Sequence, residues 1–162
     1  HEGNIQVGIN PIEIIDDALG NLWVLCSGYS DWNGTGGDRY SSLISFDPKT
    51  SNILTDYTNP ILTDHPSKLR SNLAGNKLYF IQDSYVGNVM EFSINQVSYP
   101  TQPLISHSAY GLAIDGLNGN LLVLDALDYQ SPGKALLYAD SGNIIDSSSV
   151  GLIPSVAINT KY

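Results

Sequence analysis

Apolar and polar residues alternate along this chain in short bursts. In no window do the apolar positions keep the 3.6-residue spacing of an amphipathic helix over three turns. The bursts are rich in β-branched and aromatic residues and are separated by Gly, Asn, Asp, Ser and Pro. Three of them are apolar at consecutive positions: Trp23-Val24-Leu25, Tyr79-Phe80-Ile81 and Leu122-Val123-Leu124. A strand that is apolar on both faces has to be covered on both faces. The pattern therefore predicts an all-β chain in which such strands are sandwiched.

The bursts repeat. Pro11-Ile12-Glu13-Ile14-Ile15-Asp16, Pro66-Ser67-Lys68-Leu69-Arg70-Ser71 and Tyr110-Gly111-Leu112-Ala113-Ile114-Asp115 each lead through a Gly-Asn turn into one of the apolar runs. A further copy starts at Pro154. The anchors Pro11, Pro66, Tyr110 and Pro154 stand 55, 44 and 44 residues apart, and Gly20, Gly75 and Gly119 keep the first two of those steps. The longer first step is absorbed by a polar, Gly-rich insertion from Gly28 to Tyr40. Each unit offers four runs. The first lies at Ile12–Asp16, Ser67–Ser71, Gly111–Asp115 and Ser155–Asn159; the second at Leu22–Cys26, Leu78–Gln82 and Leu121–Asp125; the third at Leu43–Asp47, Val89–Ser93 and Ala135–Ala139. The fourth, weaker, lies near Asn52–Leu54, Gln96–Tyr99 and Asn143–Ile145. Gly-Asn tolerates positive φ and is expected to close a tight hairpin between the first two runs.

Four-stranded units of about 44 residues, stacked face to face around an axis, describe a β-propeller. A β-sandwich that is periodic by chance would not put matching hairpin residues at two equal steps. The expected fold is all-β, a β-propeller portion of about three four-stranded blades, 10–58, 65–104 and 109–150, with partial strands at 4–8 and 154–159. Three blades cannot close a ring, since propellers usually need four to eight. The remaining blades of the same protein, or a second copy, are expected to complete it. The chain begins His1-Glu2-Gly3, without an initiator Met, and reads as a processed or truncated product.

Composition narrows the function classes. Sixteen acids against seven bases give a net charge of −9, which argues against nucleic acid and against an anionic membrane surface. No apolar run approaches the 18 residues of a spanning helix. The single cysteine, Cys26, permits no internal disulfide and is expected to be a small buried hydrophobe.

The segments Ile5–Pro11 and Asn10–Thr50, the phrase Phe46-Asp47-Pro48-Lys49-Thr50 and the closing Gly151–Asn159 resemble YncE-like, surface-layer-type bacterial propellers with NHL-like blades. That resemblance spans nearly the whole chain. It implies a seven-bladed ring, export as a lipoprotein of the Bacteroidetes type, and a place in the Gram-negative cell envelope, at the outer surface or in the periplasm. It implies binding rather than catalysis. Fold alone does not fix activity.

Candidate chemistry gathers in the connections between second and third runs, which should share one mouth of the channel. The first offers Tyr29, Asp31, Trp32 and Tyr40, the second Asp83 and Tyr85, the third Asp125, Asp128 and Tyr129. An acid and a tyrosine recur from the same place, and aromatic faces with carboxylates suit a glycan, a peptide or a cation. His65 enters an inner strand at the same rim and joins this ligand-binding set; His107 is expected in the corresponding connection one blade on. Asp31, Asn33, Thr35 and Asp38 imitate the first half of an EF-hand calcium loop, but the twelfth position holds Ser42 rather than Glu. No zinc or nucleophile-elbow motif occurs. The expected function is a non-catalytic binding or scaffold propeller, not an enzyme, without cofactor, acting in nutrient capture beside an outer-membrane transporter. Two alternatives stand beside it: a metal-dependent propeller enzyme of the lyase or lactonase kind, and a structural half-propeller completed by another chain.

Overall fold

The computed structural model describes residues 4–83 and 85–157. They form twelve strands: β1 Pro11–Asp16, β2 Leu22–Cys26, β3 Ser42–Phe46, β4 Ile53–Thr58, β5 Ser67–Ser71, β6 Lys77–Ile81, β7 Gly87–Ser93, β8 Pro103–Ala109, β9 Gly111–Ile114, β10 Leu121–Asp125, β11 Pro132–Tyr138 and β12 Ile144–Leu152. Three four-stranded antiparallel sheets result, β1-β2-β3-β4, β5-β6-β7-β8 and β9-β10-β11-β12. Each is a simple meander, and together they are a partial β-propeller.

The doubly apolar strands behave as their composition requires. In β6, Leu78 and Phe80 enter a core shared with Trp23, Leu25 and Leu43 of the first sheet. Tyr79 and Ile81 enter a separate core shared with Leu112, Leu121, Val123 and Leu136 of the third. These four side chains of β6 are 0–1% exposed. Leu78, Phe80 and Ile81 each contribute about 1.5–3 kcal/mol by leaving water. A third cluster, Val24, Cys26, Ile44 and Phe46, lies on the outer face of the first sheet.

The first strands β1, β5 and β9 are the innermost and lie side by side. Arg70, in the middle of β5, ties all three. Its Nη1 pairs with Glu13 Oε2 of β1 at 2.9 Å, and its Nε donates to the Leu112 carbonyl of β9 at 3.0 Å. The residue that interrupts the apolar pattern of the inner strands is thus a clamp between blades.

The Gly-Asn hairpins are built differently from the tight turn expected. Asp17, Asn72 and Asp115 each cap the following loop: Asp17 Oδ1 accepts from the amides of Leu19 and Asn21, Asn72 Oδ1 from those of Asn76 and Lys77, and Asp115 Oδ1 from that of Leu117. The glycine follows in the left-handed region, at φ 81°, 67° and 75° for Gly20, Gly75 and Gly119. This is a longer loop with the glycine at its end rather than a two-residue turn. At Gly75 a side chain is excluded twice, by φ and by the Ala18 amide, which donates to the Gly75 carbonyl at 2.9 Å and joins the first two hairpins.

Fourth strands depart most from expectation. Gln96–Tyr99 is not a strand; that edge is β8, Pro103–Ala109, so the second sheet runs past residue 104. The Gln96 amide closes a turn on the Ser93 carbonyl, Val97 is exposed, and Tyr99 folds inward to pack on Phe80. The segment 4–8 pairs in no sheet; Ile5 and Val7 pack across the outer face of the first sheet instead. Of the run Ser155–Asn159, residues 155–157 are not a strand and the rest lies outside the described residues.

Asp17 is nearly buried. Burial pushes its carboxyl up, but the Trp23 indole at 2.9 Å and the amides of Asn21 and Leu19 outweigh that and hold it below the usual carboxylate range. A depressed value means the stabilisation is complete above about pH 4 and is lost as pH falls through the folded-state value. Asp17→Asn is therefore expected to cost about 1 kcal/mol at pH 7 and to flatten the acid side of the stability curve, as read by urea unfolding at a series of pH values.

Candidate functional site

The sequence folds its first two mouth connections into one open cleft of about 410 Å³, at the rim where β2 and β6 end and β1 and β5 begin. Tyr29, Trp32, His65, Asp83 and Tyr85 of the expected set line it. Asn10, Ser27, Ser30 and Thr63 line it too and were not singled out from the sequence.

Its floor is a local lock between the entrance to β1 and the exit from β2. Asn10 takes φ 53° just before Pro11, and its Nδ2 donates to Ser27 Oγ at 2.7 Å. The Ser27 amide returns a bond to the Asn10 carbonyl at 3.0 Å. At Gly28 the chain turns with φ 71°, and a Cβ there would lie 2.4 Å from the Arg39 carbonyl oxygen, so only glycine lets the two arms of the insertion close.

His65 reaches into this lock. Its Nδ1 lies 2.8 Å from the Ser27 carbonyl oxygen. A carbonyl can only accept, so Nδ1 carries the proton. In the neutral ring the lone pair is then on Nε2. Asp83 comes to the cleft from the end of β6, and its carbonyl accepts from Ser67 Oγ at 3.0 Å.

The wall is aromatic. Trp32 is 78% exposed and meets Tyr85 edge to face at 6.3 Å between ring centres. The Trp comes from the insertion of the first blade and the Tyr from the second, so the pair spans the mouth. The insertion is braced from within. Asp31 accepts from Thr35 Oγ1 and from the amides of Gly37 and Asn33, and those bonds pull its carboxyl down to about 2. Asp38 Oδ1 accepts from the Asp31 amide at 2.6 Å. Asp31, Asn33, Thr35 and Asp38, the calcium candidates, are thus engaged with one another as a loop brace. Tyr40 is half-exposed and stands apart from the cleft.

The third connection does not join it. Asp125 is not presented at the mouth but is 5% exposed, with Oδ2 2.8 Å from His107 Nε2 and Oδ1 accepting from the Leu127 amide. His107 lies within β8, not in the connection expected, so the pair crosses from the second sheet to the third. Asp128 caps its own turn through the Ser131 amide, the Gln130 amide and Ser131 Oγ, which lower its pKa. Tyr129 stacks edge to face on Tyr110 at 5.5 Å, and burial raises its hydroxyl.

Among the described residues no three His, Cys, Asp or Glu side chains stand close enough to hold a metal ion. The cleft itself brings only His65 and Asp83 of that donor type.

No family model matches the sequence, and no curated protein matches it. Solved structures do. A gluconolactonase of Xanthomonas campestris, important in glucose secondary metabolic pathways, superposes with a TM-score of 0.56 at 17% identity, over 91% of this chain and 48% of that one. The chain therefore spans about half the length of that structure. The likeness supports the propeller and nothing finer of the YncE-like, surface-layer type. It also corrects the expectation that this is not an enzyme: the same arrangement of sheets serves a lactonase.

Trp32→Ala removes an exposed ring that supports no core. Its midpoint of thermal unfolding should stay within about 1–2 °C of the parent, the scale of a surface substitution, when followed by far-UV circular dichroism.

Proposed function

We propose that the chain is part of a propeller hydrolase of the lactonase kind, and that the cleft between its first two blades is one side of the reacting site. The observation that carries this is His65: a histidine fixed by its Nδ1 to the Ser27 carbonyl, with Nε2 available as a base, in an open cleft of about 410 Å³ lined by tyrosines and a tryptophan. Likeness to a gluconolactonase scaffold supports the reaction class.

The chemistry assigned to these residues is simple. Nε2 of His65 takes a proton from water as its oxygen attacks the lactone carbonyl carbon. The carbonyl π electrons move to oxygen, then return as the ring C–O bond breaks. The alkoxide so released takes the proton from His65 Nε2, which regenerates the neutral ring and gives a hydroxy acid. Trp32 and Tyr85 offer ring faces to the C–H side of a sugar-like ring, and Ser30, Thr63 and Asp83 offer hydrogen-bonding groups to its hydroxyls. Among the described residues His65 and Asp83 are the metal-ligating types at the cleft, and the route written here runs through His65.

His65→Gln keeps a polar side chain but removes the base. With glucono-1,5-lactone as probe and acid release followed by pH-stat, kcat/KM is expected to fall by about 10²–10⁴. A parent protein that does not open the lactone, or a variant that opens it as fast, overturns the reading.

A further inference from the structure

Behind the cleft lies a second, much smaller cavity, about 10 Å³, at the seam between the first and second sheets. It is lined by Asn59 and Asp64 of the chain leaving the first sheet, by Gln82 at the end of the second sheet's middle strand, and by Tyr99 and Thr101 of the turn before β8. Its position is unusual for polar groups: Phe80, Met90 and Ile61 also line it.

The polar groups around it are committed to one another, with one exception. Ser41, fully buried, donates through Oγ to the Asp64 carbonyl at 3.0 Å and accepts there from Asn59 Nδ2 at 3.0 Å. Asn59 Oδ1 accepts from the Ile61 amide at 3.0 Å. Gln82 Nε2 donates to Asp64 Oδ2 at 2.7 Å, and Gln82 Oε1 accepts from Asn88 Nδ2 at 3.2 Å. The exception is Tyr99. The residue is 8% exposed, and its hydroxyl, near Ser41, completes no hydrogen bond of good geometry among the described residues. Leaving a buried hydroxyl unpaired costs on the order of 1–3 kcal/mol, so native structures rarely tolerate one.

We infer that this cavity is a binding site for a single water molecule, which accepts from the Tyr99 hydroxyl and donates to the Asp64 and Asn59 oxygens. The volume suits one water, the walls supply the two to four polar partners that a buried water needs, and apolar side chains close the remainder. The water would act as a bolt. It joins the turn of the second sheet to residues 59–64 of the first, and the next residue along that segment is His65. The site thus lies one residue from the cleft and holds the segment that delivers His65 and Thr63 to it. This inference stands whether or not the cleft hydrolyses lactones.

The test is Tyr99→Phe, made in the full chain. With a water present, the variant loses one of its anchors. The expected result is a midpoint of thermal unfolding lower by about 2–4 °C, together with one fewer long-lived water in oxygen-17 relaxation dispersion. An unchanged or raised midpoint would show that the hydroxyl was simply unpaired and the cavity dry. An unchanged count of long-lived waters would overturn the assignment equally. The count in the parent protein is read without any variant, so the inference stays exposed even if Tyr99→Phe does not fold: no long-lived water in the parent sinks it.

Discussion

Along β6, Leu78 and Phe80 face one neighbouring sheet while Tyr79 and Ile81 face the other, and all four are withdrawn from water. No other requirement shapes the molecule as strongly. A strand with two apolar faces cannot end a structure; it needs a sheet on each side. Because strands in a sheet twist, successive sheets stacked this way turn about an axis instead of forming flat layers. The inner strands β1, β5 and β9 then crowd together, and Arg70 fills the crowded place with a charge that bonds to both neighbours. Since each meander runs in the same sense, the loops between second and third strands all come to the same rim. That shared rim is why a cleft can form from residues so far apart in sequence as Tyr29 and Tyr85.

The site inherits its precision from this arrangement. Asn10 and Ser27 lie at the ends of β1 and β2, where the ladder of the first sheet stops, and their mutual bonds continue the ladder by one more rung. His65 enters from the next blade and rests on that rung. The aromatic wall has a different support. Trp32 is carried by an insertion that packs on no core, and the loop keeps its shape through the carboxylates of Asp31 and Asp38. A rigid floor and a self-braced arm suit a site that must fix one reacting group while admitting substrates across its edge.

Much of this was legible in the residues, for a physical reason. Strands buried on both faces advertise themselves by consecutive apolar residues, and repeated hairpins by their glycines, so the first three strands of each sheet fell where the spacing put them. Outer strands carry a weaker signal. β8 reads Pro-Leu-Ile-Ser-His-Ser-Ala, whereas the Val97-Ser98-Tyr99 that mimics a strand is a turn whose Tyr is drawn into the core. The candidate site was half legible. Position in the repeat brought Tyr29, Trp32, His65, Asp83 and Tyr85 together. It misjudged Asp125, because the same repeat position in a different blade can face inward and pair with a histidine from the adjacent sheet. It missed Asn10 and Ser27, since left-handed backbone at an Asn before proline leaves no trace in periodicity.

Native-state hydrogen exchange measures the central claim directly, because amides in a strand gripped from both faces exchange only when the whole fold opens. The slowest amides should be those of Leu78–Ile81 in β6, with the outer strands β4 and β12 exchanging much faster. Amides of β6 exchanging as quickly as those of β12 would mean that the two seams do not meet across one strand, and the account built on them would fail.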